Sequence, residues 1–571
     1  MPPMTSPSTH RGTDMALAAV AAAVAALALA LALGAEAAAL LLGAHHAVPF
    51  DPFAALLALG HLGDPALAWP LPARQALPGA AGYWSTSVLV LLLLAAALAT
   101  PATHVARRPR RRDRAGGEDA VLAEMGTRPA RRQAARLRSG APARRQAGVR
   151  HEGVLLGRIG RSPVLGSWED SLLVLGPPRS GKTTALVAPA VAEAPGAVLA
   201  TSTRPDLLRS TLARRRAVGP VVAFDPHGLA GGGCQPLRWS PVLGAEDPAT
   251  ALRRGAAMAG AVGAAGMRDG DFWVGAGADL LALALHAAAL AGAGPEQLLA
   301  WVSSPSALHV PAHVLASSPA ASPGWAQRLE AWARNPAAAT TGSVCATASR
   351  ALAAFAHPEV LRSASRPSPD DDLAALLAAG ATIHLLARAA DAALLAPLVA
   401  AIATDLLASA RHAAAQRPDG RLDPPLLVAL DEAANVAPLP DVPSLLATAG
   451  GEGVVVLVVL QSLEQARSRW GAASAGALLD AATVTLVLPG LSSGQDLRDL
   501  AALAGEREER EVSRTTSASG ESTTTGTTRR PVLRPEDVRQ LPRGEALLLA
   551  RRLPPARIRL VPLAERREPR S

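Results

Sequence analysis

The sequence predicts an α/β protein: a mostly parallel β-sheet broken by an all-helical insertion and preceded by two apolar helices. Three observations carry that expectation. Short, wholly apolar runs bounded by turn residues recur along the chain, as strands covered on both faces require, and helical segments alternate with them. From about residue 244 to 368 those runs stop, and alanine-rich stretches such as DFWVGAGADLLALALHAAALAG take their place. Ahead of both, residues 15–43 are almost unbroken Ala, Leu and Val, long enough to cross a bilayer, and a second apolar span runs from about 84 to 105.

With 571 residues, 49% of them hydrophobic, the chain can bury a large core and carry further modules. A net charge of +9 points to a polyanionic partner, nucleic acid or anionic lipid. Cys234 and Cys345 stand far apart and form none of the paired spacings of a zinc site or a disulfide framework, which fits a reducing compartment.

Residues 1–106 are expected to form a membrane domain, its first helix interrupted only by Gly34 and Glu36. The loop between the two spans carries Arg74 as its one Lys or Arg, whereas ARRPRRRDR (106–114) follows the second span directly. The positive-inside rule then places both termini in the cytoplasm, in a multi-pass protein of the cell membrane. Tyr83 and Trp84 stand where an interfacial aromatic anchor belongs. Residues 107–150 read as a basic juxtamembrane linker, whose arginines suit anionic headgroups and DNA phosphates equally.

The nucleotide-binding region is expected at 151–243 and 369–571, flanking the helical insertion at 244–368. Its centre is SLLVLGPPRSGKTTALV (171–187): a buried strand, then GxxxxGKT, then a helix. Gly176 and Gly181 let backbone amides close around phosphates, with Pro177, Pro178, Arg179 and Ser180 completing the turn. Lys182 reaches the β- and γ-oxygens, Thr183 helps hold Mg²⁺, and Thr184 continues the helix whose positive end faces the phosphates. Lys182 is the only lysine among 56 Lys and Arg residues. A planar guanidinium cannot replace a compact ammonium inside a phosphate loop, so this is the position where exchange should fail.

Two further strands follow, ending at the STRPDL and FDPHG turns, and ATIHLLA resumes the sheet after the insertion. PLLVAL (425–430) then leads into Asp431 and Glu432, at the end of a buried strand where open parallel sheets keep their ligands. Asp431 is expected to hold Mg²⁺ and Glu432 to act as the base for the attacking water. The next buried strand, 454–460, closes on Gln461, whose amide suits a contact with the γ-phosphate or its water. DAATVTLVLPG (480–490) supplies another strand. Residues 506–530, rich in Glu and Arg and then in Ser and Thr, have little to bury and read as a mobile loop. A short helix and a last strand close the chain.

GPPRSGKT, the STRPDL and FDPHG turns, DFW, LDEAANVAPLPDVPSLLATAG, VVVLVVLQSLEQARSRWG and RPVLRPEDVRQLPRGEALLL together resemble the TraG/TraD-type coupling proteins of type IV secretion, from about Trp168 to Leu549. The resemblance implies a RecA-like P-loop NTPase with an inserted all-α domain, a membrane-anchored homo-hexamer. Such a motor uses ATP to recruit relaxase-bound single-stranded DNA and pump it into the secretion channel during conjugation. Two departures stand out: Arg204 replaces a usual lysine, and TAGGEG around Gly450 lacks an arginine that many members carry. Another arginine is expected to reach across a subunit boundary in its place, with Arg467 and Arg469, which follow Gln461, as first candidates. Two other classes fit parts of the pattern. A double-stranded DNA translocase of the FtsK type would share the anchor and the loop but would normally carry a C-terminal winged-helix DNA reader, for which no room is expected after Arg551. A docking platform for secreted proteins would use the nucleotide only as a switch.

Overall fold

The computed structural model describes residues 10–43, 48–106, 109–138, 149–263, 269–365, 367–517 and 520–566, in two compact units divided at Arg114. Two stretches of the basic linker, 107–108 and 139–148, lie outside the described residues.

The first unit is built on α1 (His10–Leu42) and α2 (Ala80–Ala106). A Cβ at Gly34 would lie 2.6 Å from the Cα of Ser87, so the glycine that interrupts α1 lets the two backbones approach closely. Leucines line the outside, among them Leu40, Leu41, Leu42, Leu89, Leu92 and Leu93. Tyr83 departs from expectation. It is fully buried inside the unit, while Trp84 is half-buried and donates to the Leu62 carbonyl.

The second unit is organised by a twelve-stranded sheet. Its strands are β1 (Val154–Ile159), β2 (Ser162–Gly166), β3 (Leu172–Leu175), β4 (Val198–Ser202), β5 (Val221–Phe224), β6 (Gln235–Pro236), β7 (Thr382–Leu386), β8 (Leu426–Leu430), β9 (Val454–Leu460), β10 (Val484–Val487), β13 (Glu545–Ala550) and β14 (Ala556–Arg559). They run in the order β2-β1-β14-β13-β10-β3-β9-β8-β4-β7-β5-β6. From β10 to β6 all neighbours are parallel, and the four strands on the other side are antiparallel. The mostly parallel sheet expected from the apolar runs is therefore present, with every residue of β3, β4, β5, β7, β8, β9 and β10 buried. The hairpin β1–β2 was not anticipated, because VLLGRIGRSPVLG carries neither a clean alternation nor a continuous apolar run.

Helices cover both faces: α3 (Ala188–Glu193), α4 (Asp206–Arg216), α5 (Pro248–Val262), α6 (Gly270–Ala291), α7 (Ala392–Ala415), α8 (Leu463–Trp470) and α9 (Gly494–Leu503) matter below. Between β6 and β7 no strand occurs among the described residues. Helices α6 and α7 are long and apolar enough to cross a membrane but lie mostly buried in this unit, so length and apolarity alone do not mark a span.

Residues 506–531 correct the expectation of a loop. They form a two-stranded antiparallel ribbon, β11 (Glu506–Ser517) and β12 (Gly520–Pro531), in unbroken register from Glu506 opposite Pro531 to Ser517 opposite Gly520. Runs of β-branched threonine favour extended backbone, and the ladder pairs the main-chain groups that face across it without needing an apolar face.

His384 lies in the middle of β7, fully buried, with neither ring nitrogen hydrogen-bonded. Burial, and then the nearby Arg215 guanidinium, lower its pKa from 6.5 to about 4. Between those values the unfolded chain holds a proton that the folded chain does not. Stability is therefore complete above pH 6.5 and falls as the pH drops toward 4, by on the order of 3 kcal/mol from this group. Denaturant titrations across that window should show the loss, and His384→Leu should flatten it; an unchanged slope would mean that another group is responsible.

Candidate functional site

Register builds the site. Leu175, the last residue of β3, pairs with Leu460, the last of β9, and Leu430, the last of β8, pairs with Val458. The residues that follow, Gly176, Gln461 and Asp431, therefore lie along one edge of the sheet, with the strand bearing Gln461 between the other two.

The loop after β3 is tightly made. Gly176 donates its N–H to the Leu460 carbonyl at 3.1 Å, and a Cβ there would lie 2.8 Å from Ser180 Oγ and 2.9 Å from Leu488 Cβ. Arg179 and Gly181 both take positive φ, +64° and +92°, so the chain doubles back within three residues. Arg179 holds that conformation without glycine's freedom, a strain typical of ligand-gripping turns. The Lys182 ammonium, 8% exposed, donates to the carbonyls of Gly176 (2.6 Å) and Pro177 (2.9 Å). Thr184 is exposed to solvent on its outer side and donates to the Gly181 carbonyl at 3.3 Å. Thr183–Val187 winds as a π-helical turn into α3.

Across β9, the Thr183 hydroxyl donates to Asp431 Oδ2 at 2.8 Å. Asp431 is 5% exposed, and Thr201 at the end of β4 donates to its backbone carbonyl at 3.0 Å. Burial pushes the Asp431 pKa up, opposed by the Thr183 hydrogen bond; burial pushes Lys182 down, opposed by Asp431 and Glu432. Both charges are thus held against the preference of a dry site, and a bound polyanion with its counter-cation would relieve both. Glu432 is half-buried with φ +54° and ψ +46°, a left-handed carboxylate at the start of a helical turn. Gln461 is half-buried, and its N–H donates to Gln465 Oε1 at 3.1 Å.

These residues fit a nucleoside triphosphate with Mg²⁺. Ser180 Oγ is buried without a hydrogen-bond partner inside the loop, next to the lysine, and Thr183 and Asp431 offer oxygen donors already in contact. No cluster of three His, Cys, Asp or Glu occurs among the described residues, and Mg²⁺ needs none because waters and phosphates complete its shell.

Arg467 and Arg469 do not behave as expected. Arg467 bridges Glu464 (3.0 Å), the buried Asp496 (2.8 Å) and Asp499 (2.7 Å), and Arg469 donates to the Ala261 carbonyl. Both guanidiniums are held inside their own chain, because α8 turns them toward α9 and α5. Gly450 is explained as well: a Cβ there would lie 2.3 Å from the Glu169 carbonyl oxygen, so this backbone admits no arginine. Thr201 was missed as a partner of the site. The STRPDL turn marks the end of the strand carrying Thr201, but nothing in it shows that the hydroxyl meets the Asp431 main chain.

Residues 425–543 match the family model described as the TraM recognition site of TraD and TraG, and the resemblance to TraG/TraD-type coupling proteins is upheld there. Among solved structures, the chain is similar to a bacterial conjugative coupling protein, TrwBdeltaN70, in an unbound monoclinic form: 19% identity, TM-score 0.55, covering 73% of this chain and 90% of that one. It is also similar to the plasmid coupling protein TrwB in complex with ADP and Mg²⁺: 18% identity, TM-score 0.52, covering 70% and 87%. At these identities the likeness shows a shared fold. No curated protein matches by sequence.

Lys182 as a phosphate contact and Glu432 as a base would act at different steps, which two variants distinguish. Lys182→Ala should abolish both nucleotide binding and hydrolysis. Glu432→Gln should keep Mg-nucleotide affinity while turnover falls about a hundredfold or more. Calorimetry alongside phosphate release checks this, and normal turnover in Glu432→Gln would place the base elsewhere.

Proposed function

We propose that this chain is a membrane-anchored ATPase that couples ATP hydrolysis to the recruitment and translocation of relaxase-bound single-stranded DNA into a type IV secretion channel during conjugation. The observation that supports the reading is the hydrogen bond from Thr183 to Asp431 across the strand that leads into Gln461, which sets the glycine-lysine loop, a buried carboxylate and Gln461 along one sheet edge. The match over residues 425–543 supports a coupling-protein context, with a protein partner on that part of the chain.

In this reading residues 151–243 and 369–571 form a RecA-like motor, 244–368 an inserted all-α domain, 107–150 a basic linker and 1–106 a two-span membrane anchor. The leucine-rich exterior of α1 and α2 supports the anchor, since an apolar surface of that kind needs lipid or a partner to cover it. Both termini face the cytoplasm, which impermeant labelling of cysteines placed at Pro72 (reached) and Ser6 (not reached) would check. The motor works as a homo-hexamer and meets the secretion channel at the membrane.

The backbone N–H groups of 179–184 and the Lys182 ammonium would hold the phosphates of ATP. Thr183 and Asp431 would hold Mg²⁺, which neutralises charge on the phosphate oxygens when bound. Glu432 would accept the proton of the attacking water, and the Gln461 amide would orient that water. Lys182 matters most where charge builds on the transferring group.

The full chain in detergent should hydrolyse ATP faster with single-stranded DNA than with duplex or none. Equal stimulation by duplex would favour a double-strand translocase. Slow turnover indifferent to DNA would favour the docking platform and overturn the proposal.

A further inference from the structure

Helix α8 is fastened at both ends to different machinery. At its start, Ser462 caps it by accepting from Gln465 N–H (3.2 Å), and Gln465 reaches back to accept the Gln461 N–H. Asp496, wholly buried at the head of α9, accepts from the Leu463 N–H at 2.8 Å and from Arg467. Gln461 is thus followed at once by a segment with no slack. At the far end Arg469 donates to the Ala261 carbonyl in the last turn of α5, at the negative pole of that helix. Trp470 Nε1 donates to the Leu439 carbonyl at 2.9 Å, in the segment that follows Glu432. Two glycines make room for this knot. A Cβ at Gly260 would lie 2.7 Å from Pro440 Cγ, and one at Gly263 would lie 2.9 Å from an Arg469 nitrogen.

We infer that α8 is a rigid link that transmits the position of Gln461 to the helical insertion, with Asp496 positioning its near end and Arg469 latching its far end to α5. The inference rests on the proposed role of Gln461 at the nucleotide. Eight residues of α-helix span about 12 Å, and an element that short moves as a unit. A shift at Gln461 on hydrolysis therefore displaces Arg469. Because Arg469 holds the end of α5 and Trp470 holds the strand-end segment after Glu432, the insertion follows the nucleotide from two strand ends at once. Neither arginine touches the phosphate loop, so the latch can be cut without dismantling the site.

Amide hydrogen exchange of residues 257–262 in the full chain, in detergent, with and without Mg²⁺ and a non-hydrolysable ATP analogue, reads this out. In the unaltered chain the analogue should change exchange there at least twofold. Arg469→Ala should erase that response while DNA-free ATP hydrolysis stays within about twofold of normal, and Arg469→Lys should restore part of it. Asp496→Asn should lower kcat with KM for ATP unchanged, and should also erase the response. If the chain binds the analogue but 257–262 do not respond, or respond equally in Arg469→Ala, the inference is overturned alone. If no analogue binds, the underlying reading of the site falls and the inference falls with it.

Discussion

The structure depends on one short contact, the hydrogen bond from the Thr183 hydroxyl to the Asp431 carboxylate. Its partners lie 248 residues apart in sequence, on elements that do not share a strand pair. What aligns them is β9, seven consecutive buried Val and Leu residues, parallel to β3 on one side and to β8 on the other. A slip of one residue in either register would turn alternate side chains to the wrong face and move Asp431 or Gln461 along the edge. The apolar core of this unit is therefore what holds the polar site in place.

The chain's use of cations divides along the same line. Arginine serves where several carbonyls or carboxylates must be held from fixed directions. Arg215, fully buried, donates to Thr382 Oγ1 (2.6 Å) and to the carbonyls of Ala194, Gly196 and Gly380 near the starts of β4 and β7, and burial lowers its pKa to about 10. The single lysine stands where a compact, movable charge must fit beneath a glycine turn.

Much of the site was legible because each part has a local cause. A short apolar run bounded by turn residues reads as a strand, a glycine turn with Lys182 and Thr183 suits an anion, and the Asp431–Glu432 pair and Gln461 each come straight after such a run. What was not legible was set by packing between distant segments. Arg467 and Arg469 read as candidates to reach a neighbouring subunit because the sequence cannot show Asp496, Asp499 and the Ala261 carbonyl around them. Tyr83 reads as an interfacial anchor until its neighbours bury it. The ribbon at 506–531 reads as a loop because hydrophobic patterning is silent about strands that pair without an apolar face. Gly450 reads as a missing side chain, whereas the Glu169 carbonyl shows that none could fit.

The central claim is that Thr183 and Asp431 act as one unit. A double-mutant cycle on Mg-ATP affinity, with Thr183→Val, Asp431→Asn and the pair, measures that directly. The account predicts strong coupling: each single change weakens binding, and the double variant is scarcely worse than the weaker single, with an interaction energy on the order of 1 kcal/mol or more. Losses that simply add would mean that the two residues act independently, and would contradict it.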